Sequence, residues 1–127
     1  EFDWSTQQGF RVVPAEECWY KSLAPLMAEV REKLGDGPVY LSFDIDGIDP
    51  AFAPGTGTAE IGGLTSTQGI EIIRGMRGLD VVGGDLVEVS PPYDPFGNTS
   101  VLAANLLFEM LCILPGVRYD DKVKAVY

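Results

Sequence analysis

The sequence predicts an α/β fold with a mainly parallel sheet, on three observations. Apolar, β-rich runs alternate with stretches of helical spacing, in the order β-α-β-α-β-α. The runs Val39 to Phe43 and Asp80 to Val89 show no polar alternation, as in strands covered on both faces. Both runs stop at carboxylates and a turn, and the carboxyl ends of parallel strands are where ligands bind. Three strands make a thin sheet, so it is expected to continue into strands outside these 127 residues.

Taken in order, Glu1 to Gln8 are polar and read as an exposed lead-in. Gly9 to Val13 read as a short strand stopped by Pro14, and Ala15 to Tyr20 as a separate helical turn. A helix is expected from Ser22, as N-cap, to Leu34, with Pro25 in its first turn and Gly35 as its stop. Leu23, Leu26, Met27, Val30 and Leu34 share its inner face. The central strand runs from Val39 to Phe43 and meets Asp44, Asp46, Gly47, Asp49 and Pro50. Ala51 to Gly63 form a Gly-, Pro- and Thr-rich loop, longer than a simple connector needs. Thr65 and Gln68 then make a capping box for a helix to about Arg77, burying Ile70, Ile73 and Met76. The strand Asp80 to Val89 is broken by Ser90-Pro91-Pro92. A last helix, capped by Asn98 or Thr99, runs to about Leu114, with Leu102, Leu106, Leu107, Met110, Leu111 and Leu114 inward. Pro115-Gly116 close it, and Asp120 to Tyr127 read as a frayed tail.

Length and composition indicate one globular domain with a sizeable core. The net charge of −10 argues against nucleic acid or an anionic membrane as main partner and suits a cationic substrate or bound metal. No apolar run reaches membrane-span length. The chain opens on Glu1 rather than Met, so an upstream segment is expected. Cys18 and Cys112 read as free, buried thiols of a reducing compartment. With no histidine anywhere, a self-contained His-based catalyst or zinc site is excluded.

Chemistry concentrates where the central strand ends. Asp44 and Asp46 lie two residues apart, so on an extended chain they point the same way. Two aligned carboxylates repel unless a cation or proton lies between them, which makes a hard-metal site one reading and a pair of solvated turn caps the other. Asp49, beside Pro50, reads as an Asx-turn residue.

Four motifs then carry a resemblance. Ser42-Phe43-Asp44-Ile45-Asp46-Gly47-Ile48-Asp49-Pro50, Ala53-Pro54-Gly55-Thr56-Gly57-Thr58, Ile61-Gly62-Gly63-Leu64-Thr65 and Asp85-Leu86-Val87-Glu88-Val89-Ser90-Pro91-Pro92-Tyr93-Asp94 resemble the ureohydrolase (arginase/agmatinase) family, in its agmatinase and guanidinobutyrase branch. The resemblance spans about Gly9 to Val117 and implies that residues 1–127 are the C-terminal part of one arginase-like domain, a three-layer α-β-α fold. It implies hydrolysis of a small guanidino compound, agmatine or 4-guanidinobutyrate, to urea and an amine by a hydroxide bridging two Mn²⁺ ions. Asp44 would bridge both metals, Asp46 would bind one, and Glu88 would grip the guanidinium as a charge-assisted pair. Asp85 is left between supporting the metal shell and capping the turn. The 53–58 loop would shape the substrate mouth. The resemblance further implies a cytoplasmic location (mitochondrial for a eukaryotic parent) and a homo-oligomer, trimer or hexamer.

Departures matter equally. The family's remaining ligands lie in Gly-Gly-Asp-His and Asp-Ala-His-x-Asp motifs, and neither can be present without histidine. Ala59 stands where Pro is expected, and Gly84 where relatives often carry Cys. The 127 residues alone are therefore expected to bind Mn²⁺ weakly and to lack turnover. Two alternatives follow. One is a non-catalytic binding or assembly fragment of a ureohydrolase-like protein. The other is a haloacid-dehalogenase-type phosphatase built on Asp44-x-Asp46-Gly47, which Ile48 and the Gly-Thr-Gly-Thr loop do not fit.

Overall fold

Six elements position everything else in the computed structural model, which describes residues 2–118. They are α1 (Phe2–Gln7), α2 (Ala24–Leu34), β1 (Pro38–Asp44), α3 (Ser66–Gly75), β2 (Asp80–Val87) and α4 (Asn98–Ile113). Short 3-10 turns occupy Ala15–Cys18, Ile45–Gly47 and Pro91–Tyr93. The expected tail from Asp120 onward lies outside the described residues.

β1 and β2 are parallel, registered from Pro38 opposite Asp80 to Asp44 opposite Val87, with one irregularity between Val39 and Tyr40. The parallel α/β arrangement thus holds. α2, α3 and α4 line one face of the sheet. Val39, Phe43 and Val81 meet Met27, Ile73, Met76, Leu106, Met110 and Ile113 there in one core. Burying each such side chain is worth about 1.5–3 kcal/mol.

Neither strand is covered on both faces among the described residues. Tyr40 is 61% exposed and Val82 63%. An apolar strand composition records what a face tolerates, and among the described residues the second face carries no layer. Gly9 to Val13 do not form a strand either. A strand exists only through a ladder, and no described strand lies beside this segment. Arg11 instead pairs with Glu29 of α2 at 2.7 Å. The lead-in is helical, as α1, and its Trp4 ring stacks on Phe10 with centroids 6.3 Å apart.

Helix ends follow tertiary contacts as much as local sequence. The Thr65–Gln68 capping box forms as read. Gln68 Nε2 also donates to the carbonyls of Cys18 (2.6 Å) and Lys21 (3.1 Å), tying the box to the preceding turn. The cap position of α2 is Leu23 and not Ser22, although Ser22 Oγ accepts from the Ala24 N–H at 3.1 Å. Glu71 of α3 shares the work, accepting from the Leu23 N–H at 2.7 Å and from the Ser22 hydroxyl. α4 is preceded by Gly97 in the left-handed region (φ 73°), and its free amides are met by Asp94. Leu107 and Leu111 face outward, at 42% and 61% exposure, while Leu106 and Met110 are buried. α4 is apolar nearly all round, so spacing alone does not select its inner face. Leu34 is likewise exposed. Cys18 is buried, Cys112 half-buried, and both are free thiols.

Candidate active site

β1 delivers Asp44 to the carboxyl edge of the sheet, and the chain then folds at once. Asp44 Oδ1 accepts from the Asp46 N–H at 2.9 Å and so starts the 3-10 turn Ile45–Gly47. The two carboxylates are therefore related by a capped turn and not by strand alternation. Ile45 and Ile48, both fully buried, pin the turn to the core from either side.

Asp46 is the electrostatic anomaly of this edge. Its Oδ2 accepts from the Thr58 hydroxyl. Its Oδ1 is buried and has no hydrogen-bond partner among the described residues. A buried acceptor left unmade costs about 1–3 kcal/mol, so it calls for a partner. A hard cation is the natural one for a carboxylate oxygen. Asp44 has its second oxygen unpaired among the described residues. Hence the pair fits one side of a Mn²⁺ site. Among the described residues no group of three or more His, Cys, Asp or Glu could hold a metal.

The loop after the turn is closed at its base. Leu64 N–H donates to Gly47 O at 2.8 Å and Asp49 N–H to Leu64 O at 2.9 Å. A Cβ on Gly63 would meet Asp49 N at 2.7 Å and Gly47 O at 2.9 Å, so no side chain fits there. Asp49 takes the structural role read for it. Its Oδ1 accepts from Ala51 N–H and its Oδ2 from Gly62 N–H, both at 2.8 Å. These backbone donors, Ala51 first, hold its carboxyl below the usual range. The Trp19 indole N–H donates to Gly62 O at 2.8 Å, fastening the loop to the chain before α2.

The loop tip is fastened too. Gly55 N–H donates to Thr99 Oγ1 at 2.8 Å, and Gly55 O accepts from Ser90 N–H at 2.8 Å. Thr56 is buried, and its Oγ1 accepts from Thr58 N–H at 3.1 Å. Thr58 thereby reaches Asp46 from a fixed base.

β2 brings Glu88 to the same edge, one residue beyond the Asp44–Val87 pair. Glu88 has φ 67°, a conformation a non-glycine residue rarely adopts and one that clusters at functional sites. This turn ends β2 at Val87, two residues earlier than the sequence suggested. Asp85 neither caps the turn nor stands free. Its oxygens accept from Ser42 Oγ at 2.7 Å and Tyr40 OH at 2.8 Å across the strands. Those bonds, Ser42's first, lower its pKa, and the bond from Tyr40 to Asp85 raises that of Tyr40. Tyr93 and Phe96 are exposed, at 63% and 89%, so neither is core.

Asp44, Asp46 and Glu88 thus lie at one edge, the carboxyl end of β1 and β2. A separate groove of about 1260 Å³ lies between α2 and α3, bordered by Trp19, Met27, Phe52, Ile70 and Glu71. It contains none of the three acids, and the Glu71 oxygens in it are already engaged by Ser22 and Leu23. Sequence reading missed Thr58, Gly55 and Asp94. Their contacts cross 12, 44 and 5 or 6 residues and follow no helical or strand period.

Comparison with known proteins gives one consistent result. The Arginase family model matches residues 1–112. The chain is 78% identical over 117 residues to a guanidinobutyrase of Pseudomonas aeruginosa, covering 92% of this chain and 37% of that protein. It is 74% identical over 111 residues to a mitochondrial agmatinase of Gallus gallus, covering 87% and 33%. Among solved structures, proclavaminate amidino hydrolase from Streptomyces clavuligerus superposes with TM-score 0.83 at 45% identity, over 87% of this chain and 37% of that one. The arginase of Bacillus caldovelox gives 0.76 at 28% identity, over 86% and 38%. The chain spans little more than a third of the length of these relatives. Motif order, strand-edge acids, family match and superposition agree: the chain belongs to the arginase family and carries part of the arginase-like α/β fold.

Proposed function

We propose that residues 1–127 form the C-terminal part of a ureohydrolase domain, and that the complete protein hydrolyses a small guanidino compound to urea and an amine. One observation carries the reading. The buried, unpartnered Oδ1 of Asp46 sits beside Asp44 at the strand edge that also presents Glu88. The names of the similar proteins, guanidinobutyrase and agmatinase, support the substrate class. Asp44 and Asp46 hold Mn²⁺ on this side, and the remaining ligands come from the rest of the protein. When bound, two Mn²⁺ ions supply charge that acidifies a water into a nucleophile near neutral pH. Glu88 pairs with the guanidinium, whose planar fork matches a carboxylate, and so orients its carbon toward the metal side. The loop from Ala53 to Thr58 walls that space and holds Asp46. Homo-oligomerisation and a cytoplasmic or mitochondrial location belong to the same proposal by family resemblance.

By themselves, the 127 residues are read as non-catalytic, since the described residues offer two ligands and the sequence no histidine. The experiment is urea release from agmatine and from 4-guanidinobutyrate, with added Mn²⁺, by the complete protein and by the 127-residue chain. Urea from the complete protein alone supports both statements. Urea from neither substrate overturns the enzymatic reading, and urea from the short chain overturns the non-catalytic one.

A further inference from the structure

We propose that Thr58 is a positioning residue for Asp46, fixing the plane in which its carboxylate meets the cation. The inference rests on the metal reading above. A carboxylate can rotate about its last bond, and because its two oxygens are equivalent, what a partner fixes is the plane of the group. Here the Thr58 hydroxyl donates to Oδ2 and holds that oxygen on the loop side. The other oxygen, Oδ1, is the one left buried and unpaired. One hydroxyl therefore fixes the plane of the carboxylate, and the oxygen it leaves buried has no partner among the described residues.

The hydroxyl can do this because its own base does not move freely. Thr58 N–H donates to Thr56 Oγ1, and Thr56 is 5% exposed. Thr56 N–H donates to Pro54 O at 3.0 Å, and Gly55 between them is bonded to both Thr99 and Ser90. Asp46 is fixed separately, through its own N–H on Asp44 and the buried Ile45 and Ile48 beside it. Two independently anchored segments meet at a single hydrogen bond. Groups that orient ligand carboxylates in this way tune metal affinity without touching the metal.

The test is Mn²⁺ titration of the complete protein, read as free Mn²⁺ by electron paramagnetic resonance, for Thr58→Val, Thr58→Ser, Thr58→Ala and Asp46→Asn. Valine keeps the shape and removes the donor, while serine keeps the donor. Valine and alanine are expected to weaken binding about tenfold or more, with serine close to the parent protein. Binding by Thr58→Val as tight as the parent's, with Asp46→Asn impaired, overturns the role of Thr58 alone. Undiminished binding by Asp46→Asn overturns the metal reading itself. Equal losses in serine and valine would assign Thr58 to packing and overturn the proposal. Should valine fail to fold by circular dichroism, the serine–alanine difference decides in the same way.

Discussion

The amide of Gly55 donates to the hydroxyl oxygen of Thr99 at 2.8 Å, across 44 residues of sequence. The carbonyl of Gly55 accepts from Ser90, two residues past Glu88. Gly55 also lies three residues before Thr58, which holds Asp46. A single residue therefore joins the segment of Asp46 to that of Glu88, and both to the start of α4.

Replacing Gly55 tests that join. A Cβ there would meet Asp94 Cβ at 2.5 Å and Thr99 Oγ1 at 2.9 Å. Gly55→Ala should cost about 1–3 kcal/mol of stability, as overpacked sites do, and lower Mn²⁺ affinity with it. Urea denaturation and metal content of the purified protein check the two effects.

Asp44 and Glu88 should fail differently. In the complete protein, Asp44→Ala should lose bound metal and activity together, whereas Glu88→Ala should keep its metal and lose substrate. Metal analysis beside KM for the guanidino substrate separates the two. Glu88 also pays for its place in backbone strain at φ 67°. Glu88→Gly should thus be about 1–2 kcal/mol more stable than Glu88→Ala, with both equally poor at binding substrate.

Asp94 sets an acid limit. Its oxygens accept from Thr99 N–H, Ser100 N–H and the Ser100 hydroxyl at 3.1, 2.8 and 2.7 Å. The Ser100 hydroxyl above all holds the carboxyl below its ordinary 3.8. Stability from this group is complete above the unfolded value and is lost as pH falls through the lowered folded one. Asp94→Asn should lower the melting temperature at pH 7 and flatten the decline below about pH 4. Thermal melts across that range decide it.

Arg74 and Glu109 lock α3 to α4. The guanidinium donates twice, Nε to Oε2 at 2.9 Å and Nη2 to Oε1 at 2.6 Å, and lowers the Glu109 pKa. Glu109 is only 12% exposed, Arg74 37%. A double-mutant cycle with alanine at both positions should return a coupling of about 1–2 kcal/mol that weakens in high salt.

What was legible in the sequence was what local chemistry decides. The Thr65–Gln68 box, the Gly35 stop and the Asp49 Asx-turn each depend on a few adjacent residues, and each formed as read. Asp44, Asp46 and Glu88 stand out because strand ends and motifs both mark them, and the structure puts all three at one edge of the sheet. Contacts closing in space were not legible. Gly9 to Val13 have strand composition but no described partner. Ser22 meets the first amide of α2 but shares the helix start with Glu71, 48 or 49 residues away. Thr58, an ordinary loop threonine by composition, gains its meaning only when the loop folds back on Asp46.

The hydrogen bond from Trp19 to Gly62 gives the protein a built-in optical gauge. The indole is held over a glycine whose own N–H is bound by Asp49, the residue that shapes the start of the loop. Emission from Trp19 therefore registers whether that loop is docked. With the exposed Trp4 changed to Phe, one tryptophan remains in these 127 residues, and its colour then reports whether the loop is docked.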